Sequence, residues 1–307
     1  MTIREIPTPN FEDDISRLVQ EYEKALRSLE IELNSLFLTD FQRAEIIATQ
    51  KNIEAIINQL NTGITNWSST AMTAAVTEGA AATLFSLFLV ESMEEARKVV
   101  QFSTLNDLLV RAVVADTQTD LLNVSNNVSR KVRNAIQKGT ARVMRENVTQ
   151  GVNGTQTMKY DLLKQWKNDI GEALDTGLID SAGRVWKPST YAETVARTKM
   201  LSAHIDATTN EALERGAQYG IISTHGAADA CRFHEGRIVK LDPNAPGDYP
   251  TVDELRTTLQ IFHPNCKHVI SPIIDLDVLS EVRKKIANQQ AELGKRAISV
   301  GGRNPQI

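Results

Sequence analysis

Apolar residues recur at steps of three and four along most of the first 150 residues. Over residues 11–36 the repeat is carried by Phe11, Ile15, Leu18, Val19, Tyr22, Leu26, Leu29, Leu33 and Leu36. This spacing places one apolar stripe on a helix whose other faces carry Glu, Lys and Arg. The same repeat over residues 41–60 predicts a second helix, which Asn61, Thr62 and Gly63 are expected to end. Because the break between them is short, the two helices are expected to pair as a hairpin.

Helical periodicity continues beyond this hairpin. Further helices are predicted through the Ala-rich segment 71–90, over 93–115 and over 119–148, and no convincing strand pattern precedes residue 150. Gly151 and Gly154 predict a linker. A helix over 158–176 and a small hairpin over 177–186 follow. The segment 1–150 is therefore predicted to be a long-helix assembly, and 151–189 a helical connector with a hairpin.

The C-terminal third changes character after a helix predicted over 191–218. Short apolar runs bounded by turn residues predict strands within 220–225, 235–241 and 267–272. A last helix is predicted over 278–293, before a Gly-rich tail. The fold class is thus mostly α, with a long-helix N-terminal region and a small α+β C-terminal domain. We expect 190–275 to fold as that domain, independently of 1–150, and 276–307 to form the C-terminal helix and tail.

Composition narrows the class of protein. Hydrophobic residues make up 41% and charged residues 23% of the 307 residues, which is typical of globular proteins rather than of disordered ones. Two cysteines are too few for a disulfide-stapled secreted scaffold, and the first residues lack the pattern of a signal peptide. The apolar stretch 72–90 contains Glu78 and Gly79, so we interpret it as a buried or self-associating helix, with a membrane contact as the less favoured alternative.

Charge is unevenly distributed along the helical region. Residues 1–60 carry six Lys and Arg against eleven Asp and Glu, which favours contacts with other proteins. Residues 130–145 carry six basic residues and no acidic one, namely Arg130, Lys131, Arg133, Lys138, Arg142 and Arg145. Such a run forms either an ordinary solvated face or a surface for an acidic protein or for DNA phosphates, which bind it without sequence readout.

Cysteine and histidine concentrate near the C-terminus. Four of the five histidines and both cysteines lie between residues 225 and 268. Two Cys-His pairs, each with two residues between the partners, have a spacing that can bind one tetrahedral zinc ion. The candidate ligands are Cys231, His234, His263 and Cys266, with His225 and His268 as spare candidates.

Other roles for these residues remain open. The cysteines can be small buried apolar residues within a cluster of hydrogen-bonded histidines, or they can form a disulfide or redox-sensitive pair. A metal-dependent hydrolase would use Glu235, beside His234, as a general base on a metal-bound water. Nothing in the spacing favours a catalytic Cys-His pair, and no nucleotide-binding loop or hydrolase motif is present.

Four motifs in the C-terminal region carry a resemblance to known proteins. They are Arg197-Thr-Lys199, Ser223-Thr-His-Gly-Ala227, Cys231-Arg-Phe-His-Glu-Gly-Arg237 and His263-Pro-Asn-Cys-Lys-His268. With them, residues 190–272 resemble the C-terminal module of tailed-phage minor capsid proteins, of the phage Mu-type head morphogenesis group and the minor capsid protein 2 family. That pattern often has Cys-Arg-Cys and an upstream Cys-x-x-Cys, where this chain has Cys266-Lys-His268 and Cys231-x-x-His234. Since histidine can replace cysteine as a zinc ligand, the departure is compatible with a metal site but is not evidence for one.

The resemblance implies a non-enzymatic, minor structural protein of a tailed-phage head. Proteins of this kind enter the procapsid with the portal and scaffold, and some stay with the packaged DNA and affect its ejection. The expected partners are the portal protein, the scaffold or major capsid protein, non-specifically bound DNA and further copies of the chain. The segment 1–150 is expected to be the region that contacts the portal or further copies of the chain. The expected location is the virion, after assembly in the host cytoplasm. The alternatives are a metal-dependent hydrolase or toxin-like enzyme, and a membrane-active ejection protein.

Overall fold

A computed structural model describes residues 3–34, 43–149 and 183–307, with isolated positions between 164 and 179. The helices of these residues are α1 (Glu12–Asn34), α2 (Arg43–Ser86), α3 (Met93–Val99), α4 (Thr104–Thr149), α5 (Pro188–Glu214), α6 (Val252–Thr257) and α7 (Glu281–Val300). The strands are β1 (Leu178–Ile179), β2 (Val185–Trp186), β3 (Tyr219–Ile222), β4 (Ile238–Lys240) and β5 (Ile270–Ile273). The predicted fold class, mostly α with a small sheet-containing C-terminal region, is confirmed.

Two of the predicted helix ends are wrong. Helix α2 continues through residues 61–63, because the apolar repeat continues after them with Ile64 and Trp67, both buried. The cost of a glycine inside a helix, about 1 kcal/mol, is smaller than the gain from burying these side chains. Helix α4 likewise runs through residues 115–119 without a break. The interruption lies earlier, at residues 100–103, between α3 and α4.

The chain divides into two compact units, each built from separate stretches of sequence. The first unit comprises Met1–Phe11, Ser69–Ala115 and Arg197–Ile307, and the second comprises Glu12–Ser68 and Asp116–Ala196. These units group the residues differently from the four consecutive segments predicted above. The division into four segments stays a prediction, which concerns the role of each segment.

The second unit contains three packed helical stretches. Apolar side chains of α1, of the first half of α2 and of the second half of α4 form its core, around Leu29, Ile53 and Val132. Two buried polar groups also connect the helices: Tyr22 donates to the Leu121 carbonyl at 2.7 Å, and Trp67 donates to the Asp14 carbonyl at 2.6 Å. The predicted pairing of the first two helices is therefore confirmed. The unit also contains the predicted hairpin, as the antiparallel pair β1–β2.

The first unit contains a three-stranded antiparallel sheet in the order β4-β3-β5. The strands cover parts of the three predicted strand segments, and β3 is buried along its whole length. One apolar cluster against this sheet includes Ile222, Val239 and Ile270 together with both cysteines. The sheet thus places the cysteine- and histidine-rich loops beside the core.

The Ala-rich segment is covered by its own unit. The buried apolar side chains from this part of α2 are Ala71, Met72, Ala75, Val76, Ala80, Ala81, Ala82 and Leu84. The contact with α5 is especially close, since a Cβ at Gly79 would lie 2.2 Å from the carbonyl oxygen of His204. Among the residues that the structure describes, no helix combines the length and the apolarity needed to cross a membrane. The predicted linker at Gly151 and Gly154 and most of the predicted helix over 158–176 lie outside the described residues.

Candidate metal centre

One tight turn places His263 and Cys266 at its two ends. The backbone N–H of Cys266 donates to the carbonyl of His263 at 2.9 Å. Pro264 occupies the second position of this turn, and Asn265, at the third, has a φ of 67°. Proline followed by a residue that tolerates positive φ is the sequence preference of a type II turn. The Pro-Asn dipeptide therefore determines locally how the two candidate ligands are presented.

Cys231 lies on a short 3₁₀ helix, Ala230–Phe233. Asp229 caps its N-terminus, because its Oδ1 accepts from the Cys231 backbone N–H at 3.1 Å. Aspartate is among the preferred residues at such a position, so the sequence carried a signal for this contact that the sequence analysis missed. The cap orients the first residues of the helix and fixes the backbone of Cys231.

Four of the predicted ligands come together in the structure. Cys231 Sγ lies 3.8 Å from Cys266 Sγ and 3.2 Å from His263 Nε2. On the other side, Cys266 Sγ lies 3.3 Å from His268 Nδ1. All four side chains are less than 10% exposed. The two sulfurs and two imidazole nitrogens thus form a continuous chain of donor atoms.

The second ring nitrogen of each of these two histidines is also anchored. His268 Nε2 donates to Glu235 Oε1 at 3.1 Å, and His263 Nδ1 donates to the Pro264 carbonyl at 2.9 Å. Glu235 is itself fixed, since the same oxygen accepts from the backbone N–H groups of His225 and Ala227 at 3.0 Å each. Sequence analysis named Glu235 as a candidate general base, whereas the structure uses its carboxylate to hold a ring.

The surroundings of the two thiols shift their pKa values in opposite directions. The hydrogen bond from Cys231, together with the contact to His268, lowers the pKa of Cys266 to about 4 although burial opposes this. The same hydrogen bond, burial and nearby negative charge raise the pKa of Cys231. Burial lowers the pKa of His268, but Cys266 and Glu235 outweigh it and leave the pKa raised. These contacts favour the thiolate of Cys266 over its thiol, and the thiolate is the form in which cysteine binds metals.

Two acidic side chains around the cluster stay ionised. Burial raises the pKa of Asp229, but its hydrogen bonds from Cys231 and the nearby His263 lower it below the usual value. Burial likewise raises the pKa of Glu235, and the backbone donors of His225 and Ala227, with His268, lower it overall. Asp229 Oδ2 lies 3.1 Å from His263 Nε2, so this carboxylate competes with Cys231 for that ring nitrogen.

His234 does not join this cluster, although the sequence pattern paired it with Cys231. Its Nε2 donates to Gln260 Oε1 at 3.1 Å, and its Nδ1 accepts from the buried guanidinium of Arg237 at 2.8 Å. Burial lowers its pKa to about 4, so the ring is neutral. Both nitrogens are occupied by these contacts, and the partner Gln260 lies 26 residues away along the chain. The structure thus places His234 outside the cluster through a long-range contact that local spacing does not show.

His225 lies at the edge of the cluster and is exposed. Its ring centroid is 4.0 Å from that of His268, with the planes 32° apart. An open pocket of about 230 Å³ reaches both rings, and Lys267 and Asp229 also line it. The pocket gives solvent and small ions access to one side of the donor atoms.

The second predicted site, the basic run on α4, is largely exposed. Arg130, Arg133, Lys138 and Arg145 are exposed and Lys131 is half-buried, whereas the side chain of Arg142 lies outside the described ones. Arg133 lies 3.4 Å from Glu54 of α2. The opposite side of α4 buries Val128, Val132 and Ile136 in the core of the second unit. The basic side chains therefore lie on the side of α4 that faces away from this core.

Comparison with protein families gives one match across most of the chain. The model of the family described as phage minor capsid protein 2 matches residues 38–298 of 307. The chain belongs to the phage minor capsid protein 2 family. The match includes the long helices α2 and α4 and the cysteine- and histidine-rich module, whereas α1 precedes it. Comparisons with curated proteins and with solved structures give no significant match.

Membership of the minor capsid protein 2 family supports a structural role in the phage particle, in contact with other head components. It also favours a non-enzymatic protein. The site agrees with this, since one oxygen of Glu235 already accepts from two backbone N–H groups and from His268. The carboxylate that a hydrolase would use as a general base is therefore hydrogen-bonded within the protein, where it holds the ring of His268.

Proposed function

We propose that this minor capsid protein is recruited with the portal during procapsid assembly and stays close to the packaged DNA. The observation that carries the proposal is the family match over residues 38–298, which includes α2, α4 and the C-terminal module. A protein of this family acts in the particle, so its exposed charged surfaces are available for other head components. The role in ejection is part of the same proposal, because a protein beside the portal lies on the route of the DNA.

Charge supports two kinds of contact. Exposed acidic side chains of α1, including Glu12, Glu23 and Glu30, suit a basic protein surface. The exposed cations of α4 suit phosphates or an acidic protein surface, and such contacts need no sequence readout. The portal, the scaffold or the major capsid protein can supply the protein surfaces, and packaged DNA supplies the phosphates. A further copy of this chain can join the acidic surface of α1 to the basic surface of α4.

The test is the composition of procapsids with and without portal. Quantitative mass spectrometry of DNA-free procapsids should find this protein at a low, reproducible copy number relative to the major capsid protein. In procapsids assembled without portal, the copy number should fall to background while the major capsid protein is unchanged. A normal copy number without portal would contradict recruitment by the portal and favour the scaffold or the major capsid protein. Absence from all particles would contradict the structural role itself.

Comparison of full and emptied particles tests the second half of the proposal. If the protein leaves with the DNA, its copy number should be lower in particles after ejection than in full particles. Equal copy numbers before and after ejection would limit its role to assembly. The portal copy number, measured in the same samples, is the internal control.

A further inference from the structure

We infer that Cys231, His263, Cys266 and His268 bind one structural zinc ion. The ligand atoms are the two Sγ atoms, Nε2 of His263 and Nδ1 of His268. This set replaces His234, the fourth ligand predicted from spacing, with His268. Two thiolates and two imidazoles are a ligand set that zinc prefers, and four protein ligands leave no open position for a catalytic water.

Three of the six distances between donor atoms are close to those around a tetrahedral ion. Two sulfurs at about 2.3 Å from zinc lie about 3.8 Å apart, and a sulfur and a nitrogen lie about 3.6 Å apart. The distance between Cys231 Sγ and Cys266 Sγ is 3.8 Å. The two sulfur–nitrogen distances, 3.2 Å and 3.3 Å, need to grow by only a few tenths of an ångström. Cys231, Cys266 and His268 already lie within 4.8 Å of one another, and the ring of His263, which is grouped with Cys231 and Asp229, has to approach the other two ligands when the ion binds.

Contacts to the remaining ring nitrogens support the assignment. Metal-binding histidines usually donate their other N–H to a carboxylate or a carbonyl, which fixes the ring and the tautomer. Here His268 donates to Glu235, and His263 donates to the carbonyl of Pro264. Both contacts leave the other ring nitrogen beside a cysteine, and Nε2 of His263 also lies 3.1 Å from Asp229 Oδ2. His234 lacks this arrangement, because Gln260 and Arg237 occupy both of its nitrogens.

Zinc at this position would join two parts of the first unit. Cys231 comes from the 3₁₀ helix before β4, whereas the other three ligands come from the loop before β5. Both cysteines belong to the apolar cluster that also contains Ile222, Val239 and Ile270. Because a structural zinc ion binds the folded chain and not the unfolded one, binding stabilises the fold. The ion thus fixes long loops that have little secondary structure of their own.

Zinc content and cobalt spectroscopy of the full-length protein test the inference. Protein purified under reducing conditions, without chelator, should contain one zinc per chain. Cobalt(II) added to the metal-free protein should give the intense visible bands of a tetrahedral site and the charge-transfer bands of two thiolates. Removal of zinc should lower Tm by more than about 5 °C, and one equivalent of zinc should restore it. Protein that binds neither metal, with the same Tm in chelator, would overturn the inference.

Single substitutions distinguish the ligand sets. Cys266→Ser and His268→Ala should lose zinc, whereas His225→Ala, which removes the neighbouring exposed ring, should retain one zinc per chain. Glu235→Gln should retain zinc with an affinity about 10–100-fold lower, measured by competition with a chromogenic chelator, because it weakens the hold on His268. Zinc that survives His268→Ala but is lost in His234→Gln or in Asp229→Asn would overturn the proposed fourth ligand.

The oxidation state of the two cysteines gives a further test of the inference. Under the inference, both cysteines of the zinc-bound protein are protected from alkylation, and both react after chelation and unfolding. A disulfide between Cys231 and Cys266 in protein purified without oxygen would overturn the inference. The cobalt spectrum of the wild-type chain needs no substitution, so the ligand number can be read even if a variant fails to fold.

Discussion

Two glycines of the same helix meet different neighbours. A Cβ at Gly79 would lie 2.2 Å from the backbone oxygen of His204 and 3.0 Å from the Cβ of Ala207. A Cβ at Gly63 would meet only the side chain of Glu21, at 3.2 Å and beyond. The end of a glutamate side chain can move, whereas the backbone of a packed helix cannot move without displacing its core. The first glycine is therefore required for helix packing and the second is not.

Alanine substitutions at these two positions should have opposite effects on stability. Both gain up to about 1 kcal/mol of helix propensity, so Gly63→Ala is the matched control. We expect Gly63→Ala to leave the free energy of unfolding unchanged or to raise it by up to about 1 kcal/mol. Gly79→Ala should lower it by about 2 kcal/mol or more, because α2 and α5 must separate. Urea denaturation monitored by circular dichroism measures both, and equal stabilities would contradict the close contact.

His204 is a buried histidine outside the metal centre. Its ring is 1% exposed, lies edge-on to Phe11, and has no hydrogen-bond partner for either nitrogen in the described part of the chain. Burial lowers its pKa to about 4, although the nearby Glu78 opposes the shift. Glu78 itself accepts two hydrogen bonds from Arg97. The ring is thus held neutral in the folded protein.

Acidification should therefore destabilise the fold through His204. Between pH 6.5 and pH 4 the unfolded chain binds a proton that the folded chain does not, so the free energy of unfolding falls as pH falls. The loss from this residue is about 2–4 kcal/mol at pH 4. His204→Leu should remove one proton from the pH dependence, measured by urea denaturation from pH 7 to pH 4.5. The exposed His225→Ala is the control, and an unchanged dependence in His204→Leu would contradict the assignment.

At the scale of elements, the sequence predicted the types of helices and strands well and several boundaries poorly. Local periodicity identified α1, the sheet strands and the hairpin β1–β2. It failed at residues 61–63, where turn-forming residues lie within α2, because α2 buries apolar side chains on both sides of them, including Ile57 and Ile64. Helix propensity contributes less to the stability of a helix than the burial of its amphipathic face does. Tertiary packing thus overrides local signals at helix ends.

The candidate site shows the same limit. Sequence spacing identified Cys231, His263 and Cys266, and named His268 as a spare ligand. The turn at Pro264 and Asn265 explains how His263 and Cys266 are presented, because the backbone preferences of the two turn residues are local. The choice between His234 and His268 depends on side chains from other loops, including Gln260 and Glu235, and no local pattern encodes those contacts.

The exposed cations of α4 give a prediction about one helix face. Arg130, Lys138 and Arg145 are exposed and lie within about 80° of one another around the helix, along about 22 Å of its axis. If this face binds duplex DNA, changing the three to Gln should reduce the slope of log affinity against log salt by about 2–3. The matched control changes Lys285, Arg296 and Arg303, also exposed, by the same net charge. Fluorescence anisotropy with arbitrary duplexes measures the slope.

Equal slopes for the two triple variants would mean that net charge, and not this face, determines binding. No binding by the wild-type chain at low salt would assign the face to protein contacts. In that case the triple variant of α4 should lose portal or self-association, and the control should not. Arg133 is left unchanged in this design because it contacts Glu54 inside the second unit.

At the scale of the whole molecule, the units are assembled from distant parts of the chain. In the first unit, Thr83 of α2 donates to the carbonyl of Thr208 at 3.0 Å, and Thr208 donates to that of Gly79 at 3.2 Å. Ile6 near the N-terminus donates through its backbone N–H to Ser271 at 2.9 Å. The C-terminal module therefore packs against α2 and against an N-terminal segment, both of which a fragment starting at residue 190 lacks. This sequence-distant packing could not be read from local patterns.

The independence expected for residues 190–275 can be tested directly. The fragment loses α2, which covers the buried face of α5, and α7, whose Ala297 accepts a hydrogen bond from Gln260 at 2.8 Å. We expect 190–275 alone to lack a cooperative thermal transition, even with zinc present. A fusion of 69–115 to 190–307 through a long flexible linker should melt cooperatively, because it contains most of the first unit. Cooperative melting of 190–275 near the Tm of the full chain would contradict this expectation and show that 190–275 is an independent domain. Without that result, recruitment to the portal has to be tested with surface substitutions in the full chain, since truncation at residue 150 would divide the first unit.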